Sequence, residues 1–235
     1  MVAGRLARRI SGRLLVGCGG LFWMAVCGAA AAQDPAGVVA AEAESVRPGD
    51  INLTYSRVYI FVDKAGRIGH QHAVEGKLKS GQLHLSAAPG SALVFDMQSF
   101  DADTANARKF LRLEGETDDA TRQQVNANML GEEILDVGRY PEAKLENITL
   151  QATGKLSKRE LPEYAIEGDF TLQAKTRRVR ILCDVEPKNG WQHVRGGFRI
   201  LQSDYGIRPY SRMLGAVGVK DELLIVGDLW VAPAP

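Results

Sequence analysis

The chain has 235 residues, 45% of them hydrophobic, and its 29 lysines and arginines almost cancel its 28 aspartates and glutamates, leaving a formal charge of +1. Such a balance excludes a nucleic-acid binder that works through a basic stripe, and Arg177-Arg178-Val179-Arg180 is too short to supply one and reads as a solvated strand face. Three cysteines exclude a disulfide-dense scaffold.

The first 32 residues read as a secretory signal. Arg5, Arg8, Arg9 and Arg13 form a basic region ahead of an apolar run over 14–32, and Ala30-Ala31-Ala32 before Gln33 predicts cleavage near Ala32. Leu15-Val16-Gly17-Cys18 is similar to a lipoprotein box, but the apolar stretch between Arg13 and Cys18 is too short for one. Arg8-Arg9 hints at twin-arginine export, yet Ile10-Ser11-Gly12 lacks the apolar pair that normally follows, so the general secretory route and a periplasmic location are predicted. Cleavage removes four arginines, Cys18 and Cys27, and leaves 203 residues with a formal charge of −3 and the single thiol of Cys183. Cys183 alternates with Val179, Ile181 and Val185, which predicts a buried, inert thiol.

Residues 33–49, rich in Ala, Gly and Pro, read as a flexible lead-in, and residues 50–232 as one domain. Period-2 alternation predicts strands over 52–62, 67–79, 82–86, 91–98, 143–152, 163–173, 177–186, 191–202 and 221–231. Between them, 104–136 reads as mostly helix, started by Asp118-Asp119, carrying Val125, Met129 and Leu130 at helical spacing and stopped by Gly131. Many sequential strands with short connections must close or pair their edges, so the predicted fold is an all-β antiparallel barrel or sandwich with a short helical insertion; a barrel of about eight strands encloses one ligand.

Parity divides the strand faces. His70 and His72 alternate with Val74 and Leu78, opposite Gln71, Glu75, Lys77 and Lys79, so both imidazoles point inward if that face is buried. Tyr164, Ile166, Phe170 and Leu172 share one inner face, Val58, Ile60 and Val62 another, and Val194, Phe198 and Ile200 a third, with Gly168 and Gly196 read as gaps that leave room for a chain. These faces form either a filled core or a cavity wall. Burial of about twenty methylene-sized carbons in such a cavity would contribute roughly 16 kcal/mol gross, at about 0.8 kcal/mol each, before the cost of immobilisation.

Four segments, "GHQHAVEGKLKSGQLHL", "NMLGEEILDVGRYPEAKLENITL", "YAIEGDFTLQAKTRRVRI" and "GGFRILQSDYGIRPYSRMLGAVGVKDELLI", carry a resemblance in their order and spacing, particularly Leu135-Asp136 with Arg139-Tyr140-Pro141, then Ser203-Asp204-Tyr205-Gly206-Ile207, then Asp221-Glu222. Together they resemble the YceI-like polyisoprenoid-binding proteins over about 180 residues. The resemblance implies a periplasmic or secreted lipocalin-like β-barrel holding a long isoprenoid or other amphiphilic lipid lengthwise, with no cofactor and no catalysis. Transient contact with a membrane or a membrane partner fits that role. The chain departs from the family pattern at "LQAKTRR", where Gln173 and Ala174 replace a His-Gly pair.

The candidate ligand-binding residues are His70, His72, Ile166, Phe170, Phe198, Tyr205, Arg208, Tyr210 and Arg212. "SDYGIRPYSRM" reads either as a structural corner, from Asp204, Gly206 and Pro209, or as a portal where guanidinium groups hold a pyrophosphate, carboxylate or quinone head. Trp191, Trp230, Tyr205 and Tyr210 line a portal or cap the barrel ends. Three readings of the histidine pair stay open: a satisfied polar pair, a polar station for a ligand head, and a metal site. The last needs three or four ligands, whereas the remaining histidines, His84 and His193, turn by parity to the outer face, so no metal ligands are assigned. A hydrolase is the main rival class, but the chain lacks G-x-S-x-G and H-E-x-x-H, and Asp118-Asp119 and Glu132-Glu133 suit helix ends and solvated positions. A solid structural barrel without ligand is the third class.

Overall fold

Short connections between alternating segments bring each strand against the next in sequence, and the result is an antiparallel ring. The computed structural model describes residues 47–86 and 90–234. The strands are β1 (Arg57–Lys64), β2 (His72–Gln82), β3 (Ala92–Ala102), β4 (Glu142–Leu156), β5 (Pro162–Leu172), β6 (Lys175–Lys188), β7 (Trp191–Leu201), β8 (Ser211–Arg212) and β9 (Val217–Val231), with two helices, α1 (Ala105–Leu111) and α2 (Asp119–Leu130), between β3 and β4. β1 to β7 pair in order, β9 pairs with β7, and β9 also pairs with β1, which closes eight strands into a barrel. The two-residue β8 pairs only with the start of β9.

Closure gives each strand one face toward the interior. Ile60 of β1 lies opposite Val74 of β2 on one side and Ile225 of β9 on the other, and all three are buried. The Phe170 ring stands edge-on to Phe198 and Tyr205 at 5.6 Å and to Phe95 at 6.4 Å, an arrangement that places ring edges against ring faces. The outside of the ring is covered in two places. Phe110 of α1 stacks on Tyr59 at 3.8 Å, and Trp230 stacks on His193 at 4.3 Å. His193 therefore sits on the outer face, as parity requires, but is only 1% exposed.

The helical insertion begins and ends where its sequence signals lie. The Asp118 carboxylate accepts the Thr121 N–H at 3.0 Å as N-cap, and Gly131 is the C-cap. A second helix precedes it, capped by the Thr104 hydroxyl, which accepts the Ala107 N–H at 3.0 Å. Arg122 pairs with Asp101, and Asn126 donates to the same carboxylate at 2.6 Å, so one side of α2 is tied to the end of β3.

Several boundaries differ from the sequence reading. The expected signal over 1–32 and the lead-in up to residue 46 lie outside the described residues. Residues 47–49, read as part of a flexible lead-in, instead form a turn held to the barrel: the Gly49 N–H donates to Ala232 at 2.9 Å and its carbonyl accepts from Leu83 at 2.7 Å. The strand expected over 82–86 is absent. Gln82 ends β2, which continues through Ser80 and Gly81, and Leu83 is buried in the core beyond it. Gln173 and Ala174 both adopt positive φ, 48° and 60°, because Leu172 and Lys175 pair directly and leave a two-residue hairpin turn. Side chains strain that conformation, and Gln173 offsets part of the cost by donating to the Ile134 carbonyl at 2.5 Å.

Two expectations follow. Ile166→Arg places an unpaired charge on the buried inner face of β5 and is expected to lower stability by several kcal/mol, whereas Arg180→Gln on the exposed face of β6 should stay within about 0.5 kcal/mol of wild type; equal thermal melting of the two would reverse the face assignment. The second concerns Asp228, whose carboxylate takes His193 Nε2 at 2.6 Å and Arg195 Nε at 2.5 Å. Burial pushes this carboxyl up, but the His193 and Arg195 hydrogen bonds outweigh it and hold it below the ordinary value. A carboxyl lowered in the folded state contributes its stability above the unfolded value, about pH 4, and loses it as pH falls through the lower folded value. The melting temperature is expected to fall below about pH 4 in wild type and less steeply in Asp228→Asn, so identical slopes would contradict this account.

Candidate functional site

The inner faces do not meet at the barrel axis. They enclose a cavity of about 450 Å³, within the range of small-molecule pockets. Every strand of the ring contributes apolar wall, for example Val58, Val74, Phe95, Leu145, Ile166, Ile181, Phe198 and Ile225 from β1 to β7 and β9. Val125 and Met129 of α2 line it too, on a helix whose Arg122 and Asn126 hold β3. Polar lining is sparse and includes His70, His72, Thr121, Gln124, Asn128, Gln202 and Tyr210. Among the lining residues Gly69, His70 and Gln124 are exposed, which places a mouth between the segment entering β2 and helix α2.

The space does not come from the two glycines read as gaps. A Cβ on Gly196 would lie 2.5 Å from the Cys183 Cβ, and one on Gly168 would lie 2.9 Å from Leu145 Cδ1. Both glycines instead let strands or side chains approach closely. The roomier position is Gly227, opposite Gly196 in the β7–β9 ladder, where a Cβ would meet nothing nearer than 3.7 Å.

At the mouth, β2 begins at His72, and the end of β3 delivers the group that holds it. Asp103 follows β3 with φ 54°, a left-handed conformation that Asp tolerates better than most residues, and its side chain is wholly buried. Its Oδ1 accepts the Ala73 N–H at 3.0 Å and Arg108 Nη1 at 2.9 Å; its Oδ2 accepts Thr117 Oγ1 at 3.1 Å and lies 2.7 Å from His72 Nδ1. An ionised carboxylate only accepts, so His72 Nδ1 donates to it. Arg108 is anchored in turn by donating to the carbonyls of Gly115, at 2.9 Å, and Glu114. Burial pushes the Asp103 carboxyl up, but the bonds from His72, Ala73 and Thr117 outweigh it and leave it well below the usual carboxylate range. His70 stands beside this group, its ring 4.4 Å from that of His72 and its Nε2 3.8 Å from Asp103 Oδ2. Desolvation, and then the neighbouring His72, lower its pKa and favour the neutral ring.

The nine residues singled out in the sequence separate into three groups. His70, His72, Ile166, Phe170, Phe198 and Tyr210 line the cavity. Tyr205 is buried at 2% exposure against Phe170, in the core rather than at a portal. Arg208 and Arg212 are exposed; Arg212 pairs with Glu133 at 3.0 Å and lies over the Tyr210 ring at 4.9 Å. Of the four residues grouped as a portal, Arg212 meets Tyr210, whereas Tyr205 turns inward in the 3₁₀ turn Gln202–Tyr205 and Arg208 is exposed. Asp103 and Arg108 escaped the sequence reading. Cys183 lines the cavity, and burial pushes its thiol up to about 12.

Beside the mouth the surface is apolar. Ile68 is 58% exposed, Met213 70% and Leu214 fully exposed. The Ile68 N–H donates to Ala216 at 3.1 Å, so the two loops form one tip, and Met213 and Leu214 are held outward with φ of 53° and 54°. Arg67, Arg208 and Arg212 are exposed in the same two loops.

The chain matches the YceI-like domain over residues 50–229. Among solved structures it is similar to BcnA of Burkholderia cenocepacia, at 18% identity and a TM-score of 0.52, over 77% of this chain and 99% of that one, a likeness of fold. A polyisoprenoid binding domain from Saccharophagus degradans implicated in plant cell wall breakdown matches at 13% identity and a TM-score of 0.47, over 80% of this chain and 100% of that one. The Campylobacter jejuni YCEI protein matches at 13% identity and a TM-score of 0.34, over 56% and 70%. No curated protein matches this chain in sequence. With its family match spanning the whole barrel, the chain belongs to the YceI-like domain family.

Proposed function

We propose that this protein is a non-catalytic carrier or store for a long-chain isoprenoid or similar amphiphilic lipid, working in the periplasm. The observation that carries the reading is the cavity of about 450 Å³ inside a closed barrel, apolar along its length and polar where it meets solvent. Such a wall rewards burial of an alkyl tail at about 0.8 kcal/mol per methylene and is indifferent to most of the tail's detail. Choice of head falls to the mouth, where His70 and His72 with Gln124 and Asn128 offer hydrogen bonds to an oxygen-bearing group. The polyisoprenoid-binding description of the Saccharophagus degradans domain agrees with this class of ligand. The secretory pattern of residues 1–32 supports the periplasmic location.

Carriage also requires a way in. The tip formed by Ile68, Met213 and Leu214 lies in the segments that carry Gly69, His70 and Tyr210 of the cavity wall, and Arg67 and Arg208 are exposed in the same loops, while Arg212 pairs with Glu133. An apolar tip in loops that also carry basic side chains suits an anionic bilayer, with the mouth opening close to the lipid.

Gly227→Ile is expected to keep the fold and remove most binding of a long-chain isoprenoid alcohol, because the added side chain enters open cavity rather than packed wall. Titration of both proteins with the alcohol, alongside thermal melting, tests this; undiminished binding would place the ligand elsewhere. Leu214→Asp is expected to reduce sedimentation with anionic phospholipid vesicles at least several-fold while leaving binding of the free alcohol unchanged. Equal sedimentation with wild type would reject the tip as the membrane contact.

A further inference from the structure

The group at the mouth contains more than a histidine held by a carboxylate. His70 and His72, at the entry to β2, and Asp103, just after β3, each bring one ligand atom to within 4.8 Å of the other two. His72 and Asp103 satisfy each other at 2.7 Å, so their pairing explains those two residues alone. His70 is the unexplained member. Among the described residues its ring makes no hydrogen bond, yet Gly69, with φ 110°, turns the chain so that Nε2 stops 3.8 Å from the same carboxylate oxygen. We propose that His70, His72 and Asp103 bind a divalent transition-metal ion of the zinc class at the mouth of the cavity.

The donor set fits that class. Two imidazole nitrogens and one carboxylate oxygen suit zinc and its neighbours, whereas calcium and magnesium take oxygen shells. Zinc bonds of about 2.0–2.1 Å at tetrahedral angles place donor atoms about 3.3 Å apart. The two histidine–carboxylate separations, 2.7 Å and 3.8 Å, bracket that value, and the ion would replace the proton between His72 and Asp103. The rest of Asp103 is already braced as a ligand requires. Oδ1 is fixed by the Ala73 N–H and Arg108, and Thr117 Oγ1 donates to Oδ2, so the carboxylate is oriented before any ion arrives. Arg108 balances the buried charge from the Oδ1 side and leaves the histidine side to the cation. His70 is 48% exposed, which gives the ion an entry path and leaves a coordination position for water or for an oxygen of a bound head group. That last role alone rests on the carrier reading; the metal site does not.

The test uses the mature protein stripped with a chelator and titrated with zinc by calorimetry and with cobalt(II) by visible absorption. The expected result is one ion per chain, with cobalt bands of a low-coordinate nitrogen–oxygen site, and a loss of at least about tenfold in affinity in His70→Ala and in His72→Ala. His70→Ala is the decisive variant because among the described residues its half-exposed ring makes no hydrogen bond, and an unchanged melting curve will show that its fold is intact. Asp103→Asn is less useful, since its partner Arg108 would be left buried without a counter-charge. Failure of the stripped wild type to bind either ion, or zinc affinity unchanged in His70→Ala, would overturn the proposal. Binding of isoprenoid alcohol by the stripped wild type, without added metal, reports separately on the carrier reading.

Discussion

The pairing of the first strand with the last is the constraint on which the rest of this structure depends. β1 takes β2 on one side and β9 on the other, so the sheet has no free edge around the ring and every residue of a ring strand is assigned to an inside or an outside. Eight strands enclose an interior that side chains either fill or line around one small ligand, and here Val58, Ile166, Phe198 and their neighbours leave a cavity. Its apolar character follows from the parity of each strand.

Closure also explains why polar chemistry gathers at one end. A titratable side chain on the inner face at mid-barrel would be desolvated without partners, whereas the strand ends offer backbone groups, turns and helix connections to satisfy it. His72 stands at the first position of β2, and Asp103 immediately follows β3, the strand paired with it. Helix α1 and the loop that follows it then supply Arg108 and Thr117 to the same carboxylate. The helical insertion serves the barrel twice, bracing the polar group with α1 and its following loop and lining the cavity with α2.

Much of this was legible in the sequence because the signals were local. Parity placed Ile166, Phe170 and Phe198 on inner faces, and Asp118 and Gly131 marked both ends of α2. What failed depended on contacts between distant segments. Gly168 and Gly196 read as vacant space, but whether a missing side chain leaves a gap or admits a neighbour is decided by the adjacent strand, here by Leu145 and Cys183. Asp103 falls between the strand expected over 91–98 and the helical insertion over 104–136, where no local pattern assigns it a role. Its meeting with His72 is set by the β2–β3 register, in which Val74 lies opposite Ala102, and a search for metal ligands restricted to histidines could not reach it. Pairing the expected strands 67–79 and 91–98 back from their ends puts residue 98, not 103, opposite 72, because β2 runs on to Gln82 and two bulges shift the β2–β3 ladder, neither of which leaves a local signal. Tyr205 and the two arginines were grouped by nearness in sequence, and a single 3₁₀ turn separated them.

The proposed carrier role requires the interior of this barrel to be a lipid site rather than an incompletely filled core. Mass spectrometry of the organic extract of the protein purified from its native host distinguishes the two. A lipid site is expected to yield a co-purifying isoprenoid or other long-chain amphiphile at close to one molecule per chain; recovery of folded protein with no such lipid, and with no uptake of one when it is offered, would leave the interior an unfilled core.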